Sequence, residues 1–133
     1  MAAHPDDASI RAFLNRYFET WSKRDMDAYG ALFDTQARIY YVGNTGGLSG
    51  GLVSEGTMDF LHGQKMAHEQ SEAPMSERPL EMKIQGDRKV AQAAVTWVLS
   101  KGNKEDHGTD FFTLRRDGES WKIVSLVFYN EEE

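Results

Sequence analysis

The residues with the most chemical potential in this chain are few. His107 and Asp110 fall three apart in a segment that reads as a strand, so a regular strand turns them to opposite faces. Gly108 between them leaves room for a bulge that would bring them together. A histidine there has the near-neutral pKa that suits a general base. The plainer reading, a solvated histidine beside Lys104, Glu105 and Asp106 near a hairpin end, is favoured for His107. His62 and His68 lie six residues apart on a helix, about 120° around its axis, which is poor for sharing a metal. No His-Glu-x-x-His pattern accompanies them, and no metal is expected. The chain has no cysteine, which removes disulfides, thiolate nucleophiles and cysteine-ligated metals together. The run Gly43 to Gly51 lacks the Gly-Lys-Ser/Thr of a phosphate loop and no βαβ unit surrounds it; it reads as a lid or a connector. What remains is aromatic. Tyr17, Trp21, Tyr41, Trp97 and Phe128 suit a pocket with apolar walls and polar tips, with Tyr17 as a hydrogen-bond donor. Core packing and pocket lining stand level for Tyr17, Tyr41 and Thr96, whereas Trp97 and Trp121 lean towards core or an interface.

The elements that must position these groups follow from periodicity. Ile10, Phe13, Leu14, Tyr17, Phe18 and Trp21 trace one face of a helix, capped by Asp6, Asp7 or Ser9. Asp25 caps a second helix on which Met26, Tyr29, Leu32 and Phe33 recur. Residues 37–42 read as a strand, and a third helix runs from about Ser54 or Thr57 to Glu69. Pro74 and Pro79 bracket a break. Turn signals at Gly86-Asp87, Lys101-Gly102-Asn103 and Asp117-Gly118 divide the rest into a four-stranded meander at about 79–85, 89–100, 105–116 and 120–129. Trp121, Ile123, Val127 and Tyr129 are expected on one face of the last strand, with Val124, Leu126 and Phe128 on the other. Both sheet faces are thus largely apolar. Helices cover one of them, and a second copy of the chain is the economical cover for the other.

Composition excludes several partners. The 133 residues carry a net charge of −6, and 40% are hydrophobic against 27% charged, the balance of a soluble globular domain. Arg78, Lys83, Arg88 and Lys89 are interrupted by Glu81 and Asp87, and Arg115-Arg116 stands alone, so no cationic stripe exists for nucleic acid or anionic membrane. The acidic start Met1 to Asp7 lacks the basic and apolar regions of a signal peptide, and no apolar run approaches a bilayer span; a cytoplasmic protein is expected. Residues 1–8 read as a flexible N-terminus, 9–130 as one domain and 131–133 as an acidic tail.

Taken in order, Tyr17-Phe18-Glu19-Thr20-Trp21, Arg24 to Ala28, Leu32-Phe33-Asp34, Glu55 to Phe60 and Asp117 to Ile123 resemble the SnoaL-like branch of the nuclear-transport-factor-2-like superfamily. The resemblance spans about Ser9 to Tyr129. It implies an α+β fold in which a bent antiparallel sheet wraps as a cone around a pocket, with three helices from the N-terminal half on its concave side, and dimerisation through the sheet. It does not imply one activity, since members include isomerases, dehydratases, polyketide cyclases, epoxide hydrolases and non-catalytic domains. The ketosteroid isomerase of this shape uses a helix-1 tyrosine and a protonated aspartate as oxyanion donors with a second aspartate as base. Tyr17 matches the tyrosine; the base position falls at or near Tyr41, and the protonated aspartate at Phe111 or Phe112. Asp110 is adjacent, with the wrong parity if Phe111 is the match. One match in three does not transfer steroid isomerisation. The expectation is a small-molecule pocket for a largely apolar organic ligand, with acid–base turnover through Tyr17, Asp110 or His107, lined by Trp21, Tyr41, Phe60, Thr96, Phe112 and Phe128, and without a cofactor. The alternative is a non-catalytic binding or dimerisation domain.

Overall fold

The computed structural model describes residues 6–43 and 51–130. Of the expected flexible start 1–8, residues 1–5 lie outside the described residues, as do most of the glycine-rich loop and the acidic tail, whereas Asp7 and Ala8 already belong to the first helix.

Helix α1 (Asp7–Ser22) buries Ile10, Phe13, Leu14, Tyr17, Phe18 and Trp21. Each such side chain contributes about 1.5–3 kcal/mol on leaving water, which is why a single stripe docks the whole helix. Asp25 caps helix α2 (Met26–Gly30), its carboxylate accepting the Ala28 N–H at 3.1 Å. This helix is shorter than its apolar spacing suggests. Leu32 lies beyond its end, and Phe33 instead opens strand β1 (Phe33–Val42). Gly30 sits against helix α3 (Thr57–Gln70), where a Cβ would come 2.9 Å from the Leu61 Cδ1.

Between β1 and α3 runs strand β2 (Leu52–Gly56), which the sequence pattern concealed because its side chains are mostly exposed and show no alternation. The meander follows as β3 (Met75–Gly86), β4 (Val90–Lys101), β5 (Lys104–Asp117) and β6 (Ser120–Asn130). The six strands run in the order β2-β1-β6-β5-β4-β3, antiparallel except for the β1–β6 pair. This is the α+β cone, with α1 packed across β3 and α3 against β1.

Two irregularities correct the expected strands. β3 begins at Met75 and runs through Pro79, with a register shift between Pro79 and Glu81. Proline is tolerated because β3 is an edge strand. In β6, Thr113 pairs with Ser125 but Leu114 pairs with Ile123, so the strand bulges at Val124. An extra residue reverses the alternation beyond it. Trp121, Ile123, Leu126 and Phe128 therefore share the inner face, and Val127 and Tyr129 take the outer one.

Candidate functional site

Inside the cone lies a cavity of about 180 Å³. Its floor is polar. Tyr17 from α1 and Tyr29 from α2 share a hydrogen bond of 2.9 Å between their hydroxyls. Two hydroxyls joined by one hydrogen bond have one O–H left over, so this pair offers a donor to whatever lies beside it. Asp110 from β5 and Glu77 from β3 complete the floor. The walls are aromatic, from Trp21, Phe60, Trp97 and Phe128, and the rim is made of half-buried Gln64, Met75, Leu99 and Asn130 with exposed Ala67. Trp21 donates its indole N–H to the Gln64 Oε1 at 2.9 Å, tying α1 to α3 beside the rim.

Asp110 is 3% exposed. The Trp97 indole N–H reaches its Oδ1 at 3.0 Å, while its Oδ2 is buried with no partner. Burial, followed by the nearby Glu77 charge, raises this carboxyl well above the usual carboxylate range, and the Trp97 bond only partly offsets them. The shift favours the protonated form. Because Oδ1 accepts from the indole, a proton on this carboxyl belongs on Oδ2, where the group would present an O–H donor to the cavity. The contact depends on Gly108, the cross-strand partner of Trp97. A Cβ at Gly108 would overlap the Trp97 ring and the Tyr129 carbonyl, so the missing side chain is the slot that holds the indole.

Glu77 is held from behind. Its N–H is donated to the Ser22 Oγ at 2.8 Å, and Ser22 donates back to the Glu77 carbonyl at 3.1 Å. Burial lifts the Glu77 carboxyl to about 8. The tyrosines are pushed well above their ordinary value, chiefly by burial. Among the described residues no lysine, arginine or histidine lines the cavity. Near neutral pH it is thus a mostly uncharged chamber with donors at its floor and one carboxyl close to its titration point. Among the described residues no group of three or more His, Cys, Asp or Glu is placed to hold a metal.

The family model described as "Putative lumazine-binding" matches residues 5–129. The chain belongs to that family. Solved structures share the fold of the Putative lumazine-binding chain, and several of them are described as nuclear-transport-factor-2-like or cystatin-like. A Nostoc punctiforme protein of unknown function with a cystatin-like fold is similar at TM-score 0.78 and 13% identity, covering 100% of this chain and 97% of that one. A nuclear-transport-factor-2-like protein of unknown function from Pseudomonas putida has TM-score 0.78 at 14% identity, covering 98% and 92%. A Streptomyces avermitilis protein described as a "putative dehydratase" from the nuclear-transport-factor-2-like family reaches TM-score 0.76 at 14% identity, covering 96% and 97%. Among curated proteins, none matches this chain.

In this Putative lumazine-binding member, Tyr17, Asp110, Trp21, Phe60 and Phe128 all line the one inner cavity. Asp110 shares its parity with Phe112 rather than Phe111, as the burial of both shows. Phe112 lies behind the floor, its ring 5.0 Å edge-on from that of Tyr17, and Tyr41 sits one ring removed, 5.2 Å from Phe128. Thr96 and His107 do not join them. The β4–β5 register is unbroken through Gly108, so no bulge turns His107 inward and it stays exposed on the outer face. Thr96 alternates with buried Val95 and Trp97 and also faces outward. Among the lining residues that sequence reasoning missed are Glu77, Tyr29 and Gln64. Tyr29 was visible only as a helical apolar position, and Glu77 stood between two prolines where no strand was expected.

A larger hollow of about 410 Å³ lies on the outer face, between Lys83, Gln92, Ala94, Phe111, Thr113 and Val127. Among the described residues Lys83 is its one ionisable group, so it offers a surface rather than chemistry. No helix among the described residues is long and apolar enough to cross a membrane.

Proposed function

We propose that this protein binds a small, flat, largely apolar organic molecule in the inner cavity, with the ligand's polar end against Asp110 and Tyr17. The observation that carries this is the unpartnered Asp110 Oδ2 on the floor of an aromatic chamber. A buried polar atom without a partner costs about 1–3 kcal/mol, which a ligand acceptor recovers. A volume of about 180 Å³ is a little larger than the roughly 150 Å³ that holds one benzene ring, so one ring with substituents or a compact fused bicycle is the fitting size. The family description points to lumazine, a fused heterocycle with ring carbonyls, as the first probe. Lumazine binding is read from the fluorescence of Trp21 and Trp97. Asp110→Asn keeps a neutral donor and should bind within a few-fold of the wild type. Asp110→Leu removes it and should weaken binding roughly tenfold. Unchanged binding in the Leu variant would take Asp110 out of the site.

Acid–base turnover is the second reading, favoured by a carboxyl at about 8 facing two hydroxyl donors. The Glu77 carboxylate would take a proton from carbon beside a ligand carbonyl, the electron pair moving onto the carbonyl oxygen held by Asp110 and a tyrosine. Return of that proton to another carbon would complete an isomerisation. For the outer sheet face we propose a second copy of the chain as cover, because Phe111 is 47% exposed and stacks on Tyr129 in the middle of it.

A further inference from the structure

We infer that the inner cavity selects ligands by charge, accepting a planar head group that is cationic or neutral and carries N–H donors, such as an amidine or an amide, and rejecting carboxylates and phosphates. This rests on the pocket reading above and adds to it the class of ligand.

The argument begins with what faces the ligand from each element. Tyr17 comes from α1, Tyr29 from α2, Glu77 from β3 and Asp110 from β5. From α3 come Phe60, Gln64 and Ala67, from β4 Trp97 and Leu99, and from β6 Phe128 and Asn130, none of which titrates. Among the described residues every ionisable group in the chamber is therefore an acid. An anion brought to this floor leaves water and meets no counter-ion, and its charge opposes ionisation of both carboxyls. A cation meets the opposite situation. The Glu77 carboxyl can release its proton and become the counter-ion, while the faces of Trp21, Phe60, Trp97 and Phe128 accept positive charge over their rings. A neutral amide falls between, with its carbonyl on the Asp110 O–H and its N–H towards Glu77.

Proton release distinguishes this selection from simple shape matching. At neutral pH a cation should expel close to one proton from the floor, and an amide none. Benzamidine, benzamide and benzoate share one ring and one planar three-atom head, so they isolate charge at constant shape. Calorimetric titration of the full chain in buffers of differing ionisation enthalpy gives both affinity and protons released. Benzamidine should bind roughly tenfold more tightly than benzamide above about pH 8, with benzoate weakest. In Glu77→Gln, whose side-chain oxygen still accepts an N–H, benzamidine should lose that advantage and bind no more tightly than benzamide. Ala67→Leu, which plugs the rim from an exposed helix position, should weaken all the probes and so locate them. Benzoate binding as tightly as benzamidine, or benzamidine binding without proton release, would overturn the charge selection and leave the pocket standing. Failure of all three to bind, or binding indifferent to Ala67→Leu, would remove the pocket itself.

Discussion

Replacing Glu77 by glutamine should make the protein more stable, and more so as the pH rises. Burial lifts this carboxyl from 4.5 to about 8 in the folded protein, whereas the unfolded chain ionises it at the ordinary value. Between those values the folded state holds the proton and the unfolded state does not. Stability from this group is therefore fully present below about 4.5 and is lost as the pH climbs through 8. At about 1.4 kcal/mol per unit, partial solvent access leaves a loss on the order of 2–3 kcal/mol between about pH 5 and pH 8. Glutamine keeps the shape and the backbone bonds to Ser22 and has no proton to lose. Urea unfolding followed by tryptophan fluorescence reads the difference. At about 1–3 kcal/mol per molar, the variant's midpoint should exceed the wild type's by roughly 1 M near pH 8, with the gap closing towards pH 5. Asp110 is shifted in the same direction partly by the Glu77 charge, so the difference reads the acidic pair, whereas His68, shifted in the opposite direction, is common to both proteins. Midpoints that run parallel across this range would refute the claim that Glu77 is desolvated by the cavity.

Gly108→Ala should destabilise the fold by about 2–4 kcal/mol, because its methyl overlaps the Trp97 ring and a backbone carbonyl; thermal unfolding measures it, and a loss below about 0.5 kcal/mol would mean the indole sits elsewhere. Phe111→Asp, on the outer face and away from the cavity, should shift the mass in native mass spectrometry from two chains to one without reducing lumazine binding, and a wild type that is already a monomer would end the dimer proposal. If Glu77 acts as a base, a bound cyclic ketone should exchange its α-hydrogens with deuterated solvent in the wild type, and Glu77→Gln should slow this by at least about 100-fold; equal rates would leave binding as the function.

Much of the fold was legible because it is written in periodicity. The α1 stripe, the Asp25 cap and the three hairpin turns are local signals, and the order of the motifs carried the fold. The site was legible only in part. Tyr17 and Trp21 belong to a regular helix whose inner face follows from counting, whereas the parity of Asp110 stayed open until its burial beside Phe112 settled it. Glu77 was not legible: two flanking prolines argue against a strand until one knows that β3 is the sheet edge, which is a tertiary fact. Thr96 and Val127 were misassigned for a related reason. Which parity faces inward depends on a partner strand, and in β6 a single bulged residue at Val124 reverses it midway. The proton on Asp110 was also beyond reach, since it follows from where Trp97 aims its indole across a gap left by Gly108.

Ser22 and Tyr17 stand on the same helix, and this makes α1 a ruler. The hydroxyl of Ser22 grips the backbone of Glu77, while Tyr17 forms part of the floor with Tyr29. Five residues of helix, a rise of about 7.5 Å, thus set the distance between the donor and the carboxyl-bearing strand. An insertion anywhere in that interval would swing Ser22 about 100° away from the strand it holds and detune the chamber. Divergence within this protein's lineage is therefore free to change the walls and the rim one side chain at a time, while the interval from Tyr17 to Ser22 can change its side chains but not its length.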